Sequence, residues 1–506
     1  MGRTYRRGGA ILAFLCALAP LAGQEVPVLE RTLPNGLTVL MVERPGEPSI
    51  SCGWVVRAGS ANEKPGITGV AHLFEHMMFK GTRTIGTRDA VRDEALNRKQ
   101  DDVMKTVREE QALLRERLRR GEIQDLRDPA ARTPRLAAAL AELDGLVKEQ
   151  RELIVKDEIM KVYSQAGGTG LNANTSTDRT FFHIEVPANK LELWAWLESD
   201  RLTSPVFREF YSERDVVLEE RGMRVEATPT GKAMETFQAM QWQASPYSWP
   251  VIGWPSDISS LTREQADAFF STYYAPGNIT LILVGAFKAD EALATVTRYF
   301  GRIPANPVPP PPVTVLEPPQ GGEQRMVAMA DAMPFAWIAQ KTVPSVHRDA
   351  PALDILAGIL NGESGRLQRS LVQAKGAAIQ AASGVDGRKF GGTFQLYAVP
   401  TPGRAPEEME GLLLEEIRSI QERGVTAQEL QKVKNQITAQ MYLRMENNAE
   451  LRDQLAEAVS AGTYRDFLEG PRRLQAVTRE DVQRVAKAYF APESRNTLVI
   501  RRKEAK

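Results

Sequence analysis

Thr68-Gly69-Val70-Ala71-His72-Leu73-Phe74-Glu75-His76-Met77-Met78-Phe79 carries two periodic patterns at once. Val70, Leu73, Phe74, Met77 and Met78 fall at i, i+3, i+4, i+7 and i+8, the stripe of a helix that faces a core. His72, Glu75 and His76 fall at i, i+3 and i+4, a second stripe on the same helix. Thr68 is the expected N-cap and Gly81 the expected stop. The chain holds four histidines, His72, His76, His183 and His347. Two of them one turn apart with a glutamate on the same stripe are hard to ascribe to a solvated face. Two imidazoles at this spacing can hold one zinc ion. Glu75, beside the metal, can take a proton from the attacking water. The order inverts the His-Glu-x-x-His arrangement.

Hydrolytic zinc sites use three protein ligands and keep one position for water. The third must come from elsewhere, and the carboxylate-dense segment Tyr211 to Glu226 is the best source. It reads as a helix on which Glu213 and Glu220, seven residues apart, share a face. Spacing alone does not choose Glu220 over Glu219, and mixed charge of this kind also suits a solvated face.

Outside these segments the chain is divided into parts of different character. Its 506 residues exceed the roughly 250–300 at which a single core stops growing, so two or more domains are expected. With 64 basic and 64 acidic residues the net charge is +0, without the basic excess of a general nucleic-acid binder. Arg3, Arg6 and Arg7, the apolar stretch Ile11 to Leu21, and Ala22-Gly23-Gln24 have the layout of a secretory signal peptide cut after Gly23. The apolar stretch is short for a membrane span, and no other run is long enough for one. Cys16 lies inside that signal and only Cys52 remains after it, which excludes an internal disulfide. The expected location is therefore periplasmic or secreted, with no stable membrane span after cleavage.

Residues 31–58 read as strands around the turn Pro34-Asn35-Gly36. Residues 88–160 are charge-rich and carry Leu136, Leu140, Leu143, Val147 and Ile154 at helical spacing. They read as a coiled-coil-like helical hairpin. The proline run of 304–319 is the expected linker. An internal repeat supports a cut there. Thr262-Arg263-Glu264 and Ala275-Pro276 recur as Thr478-Arg479-Glu480 and Ala491-Pro492 at one offset (478 − 262 and 491 − 275 are both 216). Each copy mixes helices and strands without strict alternation, so the class is α+β.

Four stretches resemble the M16 family of metallopeptidases, the inverzincins, which includes pitrilysin, insulin-degrading enzyme and the mitochondrial processing peptidase. Gly69 to Thr82 is similar to the family's metal helix, and Gly170-Leu171-Asn172-Ala173-Asn174-Thr175-Ser176 to its Asn-Ala-x-Thr-Ser segment. Glu213 to Glu220 resembles the helix with the third ligand. Ser245-Pro246-Tyr247, Val251-Ile252-Gly253 and Tyr273-Tyr274-Ala275-Pro276 resemble the close of the first domain. The second half resembles the second domain, with Gly365-Arg366-Leu367 at an expected place. The likeness covers nearly the whole chain after the signal, apart from 88–160.

The resemblance implies two homologous M16-type α+β domains of the short bacterial kind. These are an N-terminal catalytic domain over 24–303, with the hairpin of about 88–160 inserted, and a second domain over 320–506. It implies His72, His76 and Glu220 as ligands of one Zn2+ per active site, with Glu75 as general base. It puts Glu213 behind a ligand histidine and Asn172 on the substrate backbone. It makes the strand Thr180 to Val186 the sheet edge that takes a peptide by strand addition, with His183 as a strand side chain and not a ligand. The gap from His76 to Glu220 (220 − 76, or 144 residues) is longer than usual for the family, and the hairpin fills most of the excess. The family's Arg/Tyr substrate pair has no clear match; Arg452 and Tyr464 are the nearby options. The implied partners are peptide substrates and a second M16 subunit, as homodimer or heterodimer. The implied function is zinc-dependent endopeptidase action on peptides or unfolded polypeptides outside the cytoplasm. The alternative is a non-catalytic assembly subunit of an M16 heterodimer.

Overall fold

Eleven strands form two sheets among the described residues, and the central ones, such as Ile279–Gly285 and Ser49–Val56, are rich in β-branched and other apolar residues. The computed structural model describes residues 26–126, 128–306 and 308–503. The expected signal peptide and Cys16 lie outside the described residues. Among the described residues no helix is long and apolar enough to cross a membrane.

The first sheet contains β1 (Leu29–Thr32), β2 (Thr38–Glu43), β3 (Ser49–Val56), β4 (Thr169–Thr175), β5 (Thr180–Pro187) and β6 (Ile279–Gly285), in the order β1-β2-β6-β3-β5-β4. The Pro34-Asn35-Gly36 turn joins β1 to β2, with Gly36 at φ 89°. The second sheet contains β7 (Gln324–Ala330), β8 (Phe335–Thr342), β9 (Ala378–Gly387), β10 (Gly392–Pro400) and β11 (Arg495–Arg502), in the order β7-β11-β8-β10-β9. In each sheet one neighbouring pair is parallel, β2 with β6 and β7 with β11, and the rest are antiparallel. Without β1, the two sheets match strand for strand in order and direction. The helices Arg263–Tyr273 and Arg479–Tyr489 share the 216-residue offset at both ends (479 − 263 and 489 − 273). Thr262 and Thr478 cap them with the same reciprocal box, closed by Gln265 and Asp481. The chain folds as two repeated domains of mixed helix and sheet.

Each sheet is covered on its second face by a helix from the other half. β6 is buried along its whole length, as expected for an uninterrupted apolar strand packed on both sides. Leu281 and Leu283 face the first core, while Ile282 and Val284 pack under Leu451, Leu455 and Val459 of the helix Asn448–Ala461. In return, Phe237 of the helix Gly231–Met240 is buried against Phe335, Ala339, Leu498 and Ile500 of the second sheet. These two helices begin 217 residues apart (448 − 231), one off the repeat offset. Phe237→Ala is expected to cost about 3–5 kcal/mol, the usual range for truncating a buried Phe. A denaturant titration of the full chain measures this.

The helices Ala90–Arg119 and Pro134–Leu153 pack against each other. Asp89 and Thr133 cap them through Arg92 N and Leu136 N. Leu136 and Val147 are buried in their seam; Leu140 and Leu143 are partly buried. Ile154 is not on the second helix as its spacing implied. It follows the last turn and bridges to Thr87, because the chain has to return antiparallel to its point of departure. The seam also holds a polar layer in which Gln150 Nε2 donates to Asp93 and Asn97 at 2.7 and 2.8 Å.

Candidate metal centre

The helix Val70–Met77 carries His72, Glu75 and His76 and is fixed at its N-terminus and along its apolar stripe. Its N-cap is Gly69, not Thr68. Thr68 is buried, and its hydroxyl and amide both donate to Asp257 Oδ2, at 2.7 and 3.2 Å. Gly69 sits at φ 89°, where a side chain would be strained. The first free amides of the helix, Gly69 N and Ala71 N, donate to the Glu63 carboxylate at 2.9 and 2.8 Å, a favourable charge at a helix N-terminus. Phe74 anchors the apolar stripe among Phe207, Phe269, Phe270 and Tyr274, with ring centroids 5.0–5.9 Å away.

Gly253 packs directly on Gly69. A Cβ at position 253 would lie 2.4 Å from Thr68 O and 2.5 Å from Gly69 Cα, and its φ is 85°. Both strain and overlap therefore oppose any side chain. Gly253→Ala is expected to destabilise the fold by roughly 2–5 kcal/mol. Urea unfolding is the check, and a change under 1 kcal/mol would contradict this account of the contact.

The third group comes from the helix Phe210–Arg221. Glu220 Oε2 lies 3.7 Å from His72 Nε2 and 3.4 Å from His76 Nε2. One ligand atom from each of the three residues falls within a 4.8 Å cluster. Tetrahedral zinc, with bonds of about 2.0–2.1 Å, spaces its ligands by roughly 3.3 Å, so the group fits a zinc ion. Glu219 is exposed and outside this cluster. Glu213, two turns earlier on the same face, accepts from His76 Nδ1 at 2.9 Å. That bond fixes the tautomer and leaves the Nε2 lone pair facing Glu220.

The two rings differ electrically. His72 is buried, and its Nδ1 has no hydrogen-bond partner in the structure. Burial, with the charges of His76 and Arg224, pushes its pKa down to about 3, so it stays a neutral imidazole, the form that binds metal. For His76, burial also acts downward, but the Glu213 hydrogen bond and the nearby carboxylates outweigh it and raise the pKa. Glu75 is half-buried beside the group. Burial lifts its carboxyl above the usual range, against the opposing pull of the Thr175 hydroxyl and His76. A carboxylate moved in this direction is a better proton acceptor near neutral pH.

Two charged neighbours were not evident from the motif. Lys80 Nζ reaches Glu213 Oε2 at 2.6 Å, and Arg224 Nη2 reaches Glu220 Oε1 at 2.8 Å. Arg224 is an i, i+4 partner of Glu220 and so was open to a helical reading. Glu63 acts from the loop six and eight residues before its partners and Asp257 from 189 residues beyond Thr68, and neither contact follows from a helical spacing.

The outermost strand beside the metal helix is β4, not β5. The expectation that Thr180 to Val186 forms the edge is therefore wrong: β5 is hydrogen-bonded on both sides, to β3 and β4. Asn172 is exposed on β4, and its ladder partner is His183. His183 stacks on Phe181, with centroids 5.2 Å apart, and lies outside the metal group. Arg452 and Tyr464 do not face the group. Arg452 is buried on Glu185 at 2.6 Å, and the Tyr464 hydroxyl meets Glu30 at 3.3 Å. Both belong to the contact between the helices after residue 447 and the first sheet.

Two repeated α+β domains with an inverted His-x-x-Glu-His helix and a distant glutamate define the inverted-motif metallopeptidase class. The family model described as Insulinase (Peptidase family M16) matches residues 38–109, and that described as Peptidase M16 inactive domain matches residues 260–437. The zinc protease PqqE of Helicobacter pylori is 25% identical over 479 residues, covering 93% of this chain and 92% of that protein. An uncharacterized zinc protease of Mycobacterium leprae is 25% identical over 471 residues, covering 92% and 90%. The crystal structure of a protease from Helicobacter pylori superposes with a TM-score of 0.75 at 23% identity, over 94% of this chain and 100% of that one. The chain belongs to the M16 family of zinc metallopeptidases.

Proposed function

We propose that the protein is a zinc-dependent endopeptidase that cuts peptides or unfolded polypeptides outside the cytoplasm. The observation that carries this is the convergence of His72, His76 and Glu220, with Glu75 half-buried beside them. In this reading those three residues hold the metal. Zinc, when bound, polarises a scissile carbonyl and lowers the pKa of water toward roughly 7. Glu75 accepts the proton of the attacking water and returns it to the leaving amine. Glu213 keeps the His76 ring oriented. Strand β4 offers its free edge to an extended substrate, and Asn172 hydrogen-bonds the substrate backbone.

Location outside the cytoplasm is supported by the basic-then-apolar N-terminus and by a chain with one cysteine after it. A related second subunit, in a homodimer or heterodimer, would supply the Arg/Tyr pair, since Arg452 and Tyr464 are held in the contact between domains. The test is digestion of an unfolded polypeptide by the purified full chain, with zinc content measured in parallel. The expected result is one zinc per chain, with cleavage abolished by chelator and restored by added zinc. Stoichiometric zinc without any cleavage would favour the assembly-subunit reading.

A further inference from the structure

We propose that Lys80 is a positioning residue of the metal centre, which it serves by pinning Glu213 from behind. The inference rests on the metal reading of His72, His76 and Glu220. Glu213 is buried and uses its two oxygens differently: Oε1 accepts from His76 Nδ1 at 2.9 Å, and Oε2 meets Lys80 Nζ at 2.6 Å. A carboxylate bonded on one oxygen only can rotate about its last torsion. Bonded on both, it presents Oε1 in a single direction, and the imidazole follows it. Lys80 thus completes a relay that runs from ammonium to carboxylate to ring.

Nothing steric forces the ammonium onto Glu213. Lys80 borders a cavity of about 450 Å³, lined also by Arg151, Lys156 and Glu209, into which a long side chain could turn. Its ammonium is on Glu213 instead. Glu209 holds it there from a second side, at 3.6 Å, and is in turn 3.5 Å from Arg151 of the helix Pro134–Leu153. Glu209 adopts a left-handed backbone conformation, φ 55°, which a residue with a long side chain rarely takes up. That conformation places its carboxylate on Lys80 immediately before the helix that carries Glu213 begins. A compact ammonium suits the gap between two carboxylates better than a planar guanidinium does.

Two accounts of Lys80 give opposite signs. Were it only a nearby positive charge, deleting it would strengthen binding of a cation. If it positions His76 through Glu213, deleting it weakens zinc binding, as loss of outer partners of ligand histidines typically does by 10–100-fold. The test is zinc affinity of the full chain, read by competition with a chromophoric chelator, together with the melting temperature of the zinc-free protein. Lys80→Met is expected to bind zinc about 10–100-fold more weakly, with the zinc-free melting temperature nearly unchanged. Lys80→Arg, whose planar guanidinium fits the gap between the two carboxylates less well, is expected to recover only part of that loss. In a Glu213→Gln background Lys80→Met should change affinity less than about twofold, because its route to the metal is already cut. Unchanged or tighter zinc binding in Lys80→Met overturns the proposal, as does an undiminished effect in the Glu213→Gln background. Failure of Lys80→Met to fold also overturns it, because the ammonium would then serve the fold. Absence of zinc binding in the unsubstituted chain would instead defeat the metal reading itself.

Discussion

Glu75→Gln is expected to lower kcat/KM by on the order of 10³–10⁴, near the top of the range for general acid–base catalysis, while one zinc per chain is retained. The substitution keeps the shape of the side chain and removes its ability to accept a proton. Glu75 is not among the three residues whose ligand atoms converge, so the metal has no reason to leave. Its position suits the proposed role of base: it is the one carboxylate of the motif helix, half-buried, with a pKa raised chiefly by that burial. Glu213 and Glu220 are each already engaged by a histidine and a cation. Steady-state kinetics on an unfolded polypeptide, with zinc measured on the same sample, is the check. Turnover within tenfold of the parent would remove Glu75 from the mechanism. Loss of zinc along with activity would show that it contributes to binding the metal.

Much of this arrangement was legible in the sequence because it is local. The His72, Glu75 and His76 stripe and the Glu213 and Glu220 face each follow from helical geometry within one element. The repeat was legible because Thr262 and Thr478 cap equivalent helices, and a capping box is a short signal. The failures are non-local. Thr180 to Val186 alternates as a strand should, but alternation gives no information about how many neighbours a strand has. What makes β4 the edge is that it pairs with β5 alone among the described residues, and that depends on the tertiary arrangement. Thr68 resembles an N-cap until Asp257, 189 residues away, claims its hydroxyl. Arg452 and Tyr464 had the right chemistry for substrate contact, but the exchange of helices between the halves uses them at the joint. That exchange follows from two sheets each with a second apolar face, and the choice of helix to cover it depends on the tertiary arrangement.

Glu220→Ala is expected to weaken zinc binding by on the order of 10²-fold or more, as removal of one ligand from a site whose whole set contributes about 10–16 kcal/mol implies. Activity at low free zinc should be lost with it. The carboxylate supplies the only oxygen of the cluster, 3.4 and 3.7 Å from the two imidazole nitrogens. Its removal also frees the exposed guanidinium of Arg224, held at 2.8 Å by Glu220 Oε1. An unpaired cation beside the two histidines then adds repulsion toward any metal ion. Glu219→Ala is the matched control: its side chain is exposed and outside the cluster, so zinc content and activity should stay at parent levels. Glu220 is only partly buried and ends a helix whose apolar anchors are Phe210, Tyr211 and Val217. The zinc-free variant should therefore unfold within about 1 kcal/mol of the parent, as surface substitutions usually do. Metal analysis after dialysis against a chelator, with urea unfolding of the zinc-free proteins, separates lost affinity from lost fold. Stoichiometric zinc in Glu220→Ala and its loss in Glu219→Ala would transfer the ligand role to the neighbouring residue.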